Sequence, residues 1–249
     1  MATRIQLEIC IASVDDALAA AAGGADRLEL NCALDLGGLT PSPGLLLEVK
    51  RVCRLPIFVM IRPRPGGFCY SAADFELMRR DAEWMIANGA DGLVFGVLHE
   101  NGEIDVERCR VMLACGAGRP AVFHRAFDVT PDPLPALETL IELNFVRVLT
   151  SGQQPTALEG ALLIAELIRR AAGRIEILPG GGINTGNVAK VIARTGCIQI
   201  HGSFRSARRD ESVSARPAVS FSKANPSSED GYEGTDRAAV AAVRRLIGP

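Results

Sequence analysis

Short aliphatic and β-branched runs recur along this chain, each bounded by glycine, proline, serine, asparagine or aspartate and each followed by a longer helix-like segment. Eight are visible: Ile5 to Cys10, Arg27 to Asn31, Ile57 to Ile61, Gly92 to Phe95, Ala121 to His124, Val146 to Leu149, Ile175 to Leu178 and Ile198 to His201. Strand and helix in regular alternation is the pattern of repeated βα units on a parallel sheet. Eight units in 249 residues predict an α/β protein of one domain, 1–249, a (β/α)8 TIM barrel. An open doubly wound sheet would carry a dinucleotide loop after its first strand, and no GxGxxG follows here.

The punctuation between the runs agrees with this reading. Ser13 with Asp16 and Ser71 with Asp74 have capping-box spacing, while Ser42 before Pro43 and Asp132 before Pro133 place a cap ahead of a first-turn proline. Gly23-Gly24-Ala25-Asp26 and Asn88-Gly89-Ala90-Asp91 both end a helix and enter a strand, an internal echo expected of stacked βα units. One region breaks the rhythm: residues 204–235 are rich in Ser, Arg, Pro and charge, before a closing helix at 236–249. A connection that long is expected to be a lid, an interface arm or disordered, extending over the barrel top.

Composition narrows the partners. With a formal net charge of -2 and mixed charges, the chain has neither a nucleic-acid footprint nor a polybasic membrane patch, so a small-molecule or metal ligand is expected. Arg4, Gln6, Glu8, Asp15 and Asp16 interrupt what a signal peptide would keep apolar, and no apolar run approaches membrane-spanning length, which predicts a cytoplasmic protein. Seven scattered cysteines without a CxxC pair read as reduced thiols. The lysines, Lys50, Lys190 and Lys223, avoid the strand ends, which argues against a Schiff-base aldolase.

In a barrel the C-terminal strand ends face the catalytic side. Alternation puts Glu8 with Cys10, Glu29 with Asn31, Met60 with Arg62, Val122 with His124 and Gln199 with His201, each pair on one face of its strand. A carboxylate such as Glu8 inside an apolar strand needs polar partners, so these sets are aimed into the upper barrel. The stretch Val122 to Asp128 delivers an imidazole, a guanidinium and a carboxylate, and His124 is one of only three histidines. Glu8, His124 and His201 are therefore the candidate acid–base residues, converging on one volume. By alternation Arg125 is expected to leave that wall, and Asp128 to fix the loop. Gly180, Gly181 and Gly182 after the seventh strand and Ser203 after the eighth are a candidate anion site, with Arg62 lending charge from the opposite side. Structural alternatives stand beside each: an ionic plug for the inward charges, and a tight turn for the glycines.

The blocks Gly24-Ala25-Asp26-Arg27-Leu28-Glu29-Leu30, Gly37-Gly38-Leu39-Thr40-Pro41-Ser42, Ile61-Arg62-Pro63-Arg64, Phe123-His124-Arg125-Ala126-Phe127-Asp128, Arg147-Val148-Leu149-Thr150-Ser151-Gly152 and Gly180-Gly181-Gly182-Ile183 resemble, in order, those of the CutC copper-homeostasis family. The resemblance implies a cytoplasmic barrel, a homodimer or higher homo-oligomer, tied to copper. It also implies a cysteine where this chain has Asn31 and an acidic residue where it has Gln199. Copper(I) prefers soft ligands, which leaves Cys10 as the best metal-ligand candidate. The two functional expectations are a copper-homeostasis protein binding Cu(I) at the C-terminal face, and a barrel enzyme of lyase, isomerase or hydrolase type acting on a small anionic or phosphorylated metabolite.

Overall fold

The computed structural model describes residues 4–216, 219 and 230–248. Its strands are β1 (Gln6–Ile11), β2 (Arg27–Leu30), β3 (Ile57–Met60), β4 (Gly92–Phe95), β5 (Ala121–Phe123), β6 (Arg147–Thr150), β7 (Glu176–Pro179) and β8 (Gln199–Gly202). Between and after them lie α1 (Val14–Gly23), α2 (Pro43–Val52), α3 (Ala72–Ala87), α4 (Val106–Cys115), α5 (Pro133–Glu142), α6 (Ala161–Ala171), α7 (Val188–Thr195) and α8 (Arg237–Leu246). The eight strands form one parallel sheet in the order β7-β6-β5-β4-β3-β2-β1-β8. β7 and β8 meet without a backbone ladder; instead the Gln199 amide donates to the Ile177 carbonyl at 3.3 Å. This is the expected (β/α)8 barrel, nearly closed, with one seam bridged by a side chain.

Two apolar regions hold it together. Leu7, Ile9, Ile11, Leu28, Leu30 and their outward-facing counterparts pack under the helices, in contact with residues such as Leu46, Val49 and Val240. Each fully buried side chain of this kind contributes about 1.5–3 kcal/mol. Inside the barrel a separate cluster of Phe58, Met60, Val94, Val122, Leu149 and Leu178 lines β3 to β7. The other side of the bore is polar, because β8, β1 and β2 turn Gln199, His201, Glu8, Cys10, Arg27 and Glu29 inward.

Helix starts use the capping residues in different ways. Ser71 and Asp74 form a complete capping box on α3. Ser13 accepts from the Asp16 amide at 3.0 Å, but the Asp16 carboxylate goes to the amides of Ala12 and Thr235 at 3.0 and 2.7 Å. Asp16 thereby ties the start of α1 to the far end of the polar extension. The echo at Asp26 and Asp91 has a physical basis: each accepts an amide from the foot of a neighbouring strand, Leu7 at 2.7 Å and Ile57 at 2.8 Å. Each also meets a cation from an adjacent helix, Arg244 or Lys50.

The extension between β8 and α8 is an antiparallel pair, β9 (Arg205–Arg209) with β10 (Gly231–Thr235). Arg205 reaches Asp35 at 2.9 Å, which fixes the base of this arm at the barrel mouth. The remainder of the expected lid, 217–218 and 220–229, lies outside the described residues. Among the described residues no helix is long and apolar enough to cross a membrane.

Candidate functional site

An ionic floor crosses the bore. Arg27 Nε pairs with Glu8 Oε2, and Arg27 Nη2 and Arg147 Nε both donate to Gln199 Oε1 at 2.6 and 3.1 Å. Arg147 also holds Glu176 at 2.8 Å and lies over the Phe58 ring, 5.4 Å from its centroid. Burial alone would raise the Glu8 pKa, but Arg27, His201 and Arg147 outweigh it and hold the carboxyl well below its ordinary range. Gln199 works here as a neutral acceptor between two guanidinium groups. Glu8, placed among the candidate acid–base residues, lies in this floor rather than on the cavity surface.

Above the floor opens a cavity of about 500 Å³ lined by Cys10, Glu29, Asn31, Met60, Arg62, His124, Arg125, Gly181, His201 and Ser203, among others. A Cys10 sulfur, a Glu29 oxygen and a His201 ring nitrogen lie within 4.8 Å of one another. His201 Nδ1 donates to Glu8 Oε1 at 2.8 Å, which fixes the ring and leaves Nε2 to the cavity side. Burial would lower the His201 pKa, but the Glu29 charge and bonds to Cys10 and Glu8 overcome it and raise it well above the usual histidine value. Burial raises the Cys10 thiol and the Glu29 carboxyl. Glu29 Oε1 accepts from Asn31 at 2.9 Å, while Oε2 is buried without a partner among the described residues.

The opposite wall is built on a change of local structure. β5 stops at Phe123, and His124 caps a 3-10 turn over Arg125–Val129. The His124 Nδ1 accepts from the Ala126 amide at 3.2 Å, so the proton of the neutral ring is on Nε2, which has no partner among the described residues. Burial, together with the Arg62 charge, depresses the His124 pKa to about 3. Phe68 packs against this ring at 4.9 Å between centroids, and Arg62 stacks on Phe68 at 5.2 Å. Arg62 spends Nη1 on the carbonyls of Leu36 and Gly38 and Nη2 on Gly66, leaving Nε without a partner among the described residues. It is foremost a clamp on the loops after β2 and β3. The 3-10 turn also brings Arg125 back to the cavity, where simple strand alternation had turned it away. Asp128 accepts from the amides of Ser151 and Gln153 and from Arg125, so it organises the β6 loop.

Gly181, Gly182 and Ser203 line the cavity, and Gly180 backs onto His201 and Leu149. His124, His201, Cys10, Arg62 and the loops after β7 and β8 thus surround one volume.

The CutC family model matches residues 5–206. A family protein CutC of Treponema denticola is 51% identical over 92% of this chain and 93% of its own. The chain belongs to the CutC family. The human copper homeostasis protein cutC homolog is 45% identical over 96% of this CutC chain and 87% of its own length. The crystal structure named for the copper homeostasis protein CutC of Streptococcus agalactiae superposes with a TM-score of 0.77 at 34% identity, covering 80% of this chain and 98% of that one.

Three cavity or floor residues of this CutC chain escape a reading of strand ends. Arg27 and Arg147 sit at the starts of β2 and β6, below the region searched, although alternation with Glu29 and Leu149 marks both as inward-facing. Phe68 lies in a loop, and nothing in its neighbours announces the stack it forms with Arg62 and His124.

Proposed function

We propose that this CutC protein serves copper homeostasis by taking Cu(I) as cargo at the floor of the cavity, through the Cys10 thiolate and His201 Nε2, with Glu29 beside them. The observation that carries this reading is the cluster of sulfur, imidazole and carboxylate within 4.8 Å. The donor set suits it: a thiolate and an imidazole are ligands that Cu(I) accepts, and Glu8 on Nδ1 supplies the carboxylate–histidine support common behind metal-bound imidazoles. The unpartnered Glu29 Oε2 also fits a cation. Because burial holds the Cys10 thiol protonated and the raised His201 pKa keeps a proton on Nε2, uptake displaces both protons and strengthens as pH rises. All seven cysteines are free, a state that a reducing compartment preserves, and on that basis we place the protein in the cytoplasm.

An anaerobic Cu(I) titration against a competing chelator tests the reading. Stoichiometric binding with proton release is expected, lost in Cys10→Ser. Equal affinity in wild type and variant would overturn it.

A further inference from the structure

One side of the cavity, next to His201 through Gly180, is left over by the proposed copper site. Its wall is the loop after β7, where Gly181 and Gly182 have φ of 104° and 69°, backbone that residues with a side chain rarely adopt. Among the described residues nothing accepts a hydrogen bond from the amides of Gly181, Gly182 or Ser203. A Cβ added at Gly181 would meet Arg125 Nη1 at 3.4 Å, so the guanidinium lies directly against this loop. Asp128 and Ser151 hold Arg125 through Nε and Nη2, both at 2.7 Å, and among the described residues no acceptor occupies Nη1. These donors surround a place for an anion after the seventh and eighth strands, where barrels often hold phosphate.

A second observation points to the rest of the ligand. His124 is 3% exposed, lines the same cavity and offers Nε2–H with no partner among the described residues. A buried donor left unpaired is costly, so the site is built for an acceptor oxygen supplied from outside. Being neutral, this imidazole donates without adding charge to the cavity. The volume, about 500 Å³, suits a small metabolite.

We infer that the cavity binds a small phosphate monoester, its phosphate on the amides of Gly181, Gly182 and Ser203 and on Arg125 Nη1, and a hydroxyl or carbonyl oxygen on His124 Nε2. The inference is independent of copper and is tested on the full chain freed of metal by chelation. Glycerol 3-phosphate, inorganic phosphate and glycerol are titrated by calorimetry and followed in 15N-resolved amide spectra. Glycerol 3-phosphate should bind saturably and shift the amides of Gly181, Gly182 and Ser203; inorganic phosphate should bind more weakly at the same amides, and glycerol not at all. Arg125→Gln should weaken both phosphates about tenfold, the loss of one charge-assisted bond. His124→Phe, which keeps a ring against Phe68, should weaken only the ester. Absence of saturable binding by the wild-type chain, or shifts confined to other amides, overturns the inference without reference to any variant. Unchanged affinity in a folded Arg125→Gln chain overturns it as well.

Discussion

His201 Nδ1 sits 2.8 Å from Glu8 Oε1 while the second oxygen of the same carboxylate is held by Arg27. One buried carboxylate therefore belongs to two layers, closing the ionic floor below and orienting a cavity imidazole above. The inward charges are a structural plug at one level and line the cavity one residue pair higher.

This double duty predicts the cost of losing the charge. Glu8→Gln keeps the shape but leaves Arg27 buried without its counter-ion, and breaking a buried pair from one side costs about 3–5 kcal/mol. Urea unfolding of the single and paired variants checks it. Adding Arg27→Met to Glu8→Gln should lose less stability than the two single changes summed, by about 1 kcal/mol or more. Strict additivity would show that the pair does not couple.

The same contact sets an alkaline sensitivity. The folded-state pKa of His201 lies above the free value of about 6.5, so its stabilisation is complete below that pH and declines as pH rises toward the folded pKa. The slope in that window approaches about 1.4 kcal/mol per pH unit. Between pH 6.5 and 8, below the ordinary thiol range, wild-type stability should fall relative to His201→Gln. Parallel stability curves for the two proteins would refute the assignment.

His124 behaves in the opposite sense. Its folded pKa of about 3 keeps the ring neutral, with the proton on Nε2, throughout the physiological range. Its contribution to stability is present above about pH 6.5 and is lost as pH falls toward the folded value. Ring 15N resonances should therefore report one neutral tautomer from pH 8 down to about 5, well above that pKa. A titration midpoint near 6 to 7 would show the ring to be solvated instead.

The barrel was legible because strand ends and helix caps are local signals: Ser71 with Asp74 and the apolar run of β3 state their own structure. Alternation likewise placed Glu8, Cys10, Glu29 and His201 on inward faces without tertiary information. What it could not supply was depth. Glu8 and Cys10 share a face, but only the stagger of β8 and β2 against β1 shows that one is floor and the other cavity lining. Arg125 was misplaced because period-two reasoning ends where the strand does, and a 3-10 turn after Phe123 rotates the next side chain back. Phe68 depends on a loop trajectory that Arg62 fixes through the distant carbonyls of Leu36 and Gly38 as well as that of Gly66 in its own loop, a largely long-range cause with little local trace.

Asn31 offers the sharpest test of the metal reading. The family resemblance implies a cysteine at this position, and in this chain the amide donates instead to Glu29 Oε1 at 2.9 Å and to the Glu29 carbonyl at 3.2 Å. Asn31 thus occupies one oxygen of the carboxylate in the Cys10–Glu29–His201 cluster, while contributing no soft ligand itself. Asn31→Cys is smaller than the residue it replaces, adds a second thiol to the cavity lining and frees Glu29 Oε1. Cu(I) is drawn to thiolate pairs, so affinity measured against a chelator should rise at least about tenfold, equivalent to about 1.4 kcal/mol. The gain should disappear when Cys10→Ser is added, because both sulfurs are needed on one ion. An Asn31→Cys chain that binds Cu(I) no more tightly than wild type would mean that copper does not bind beside Cys10.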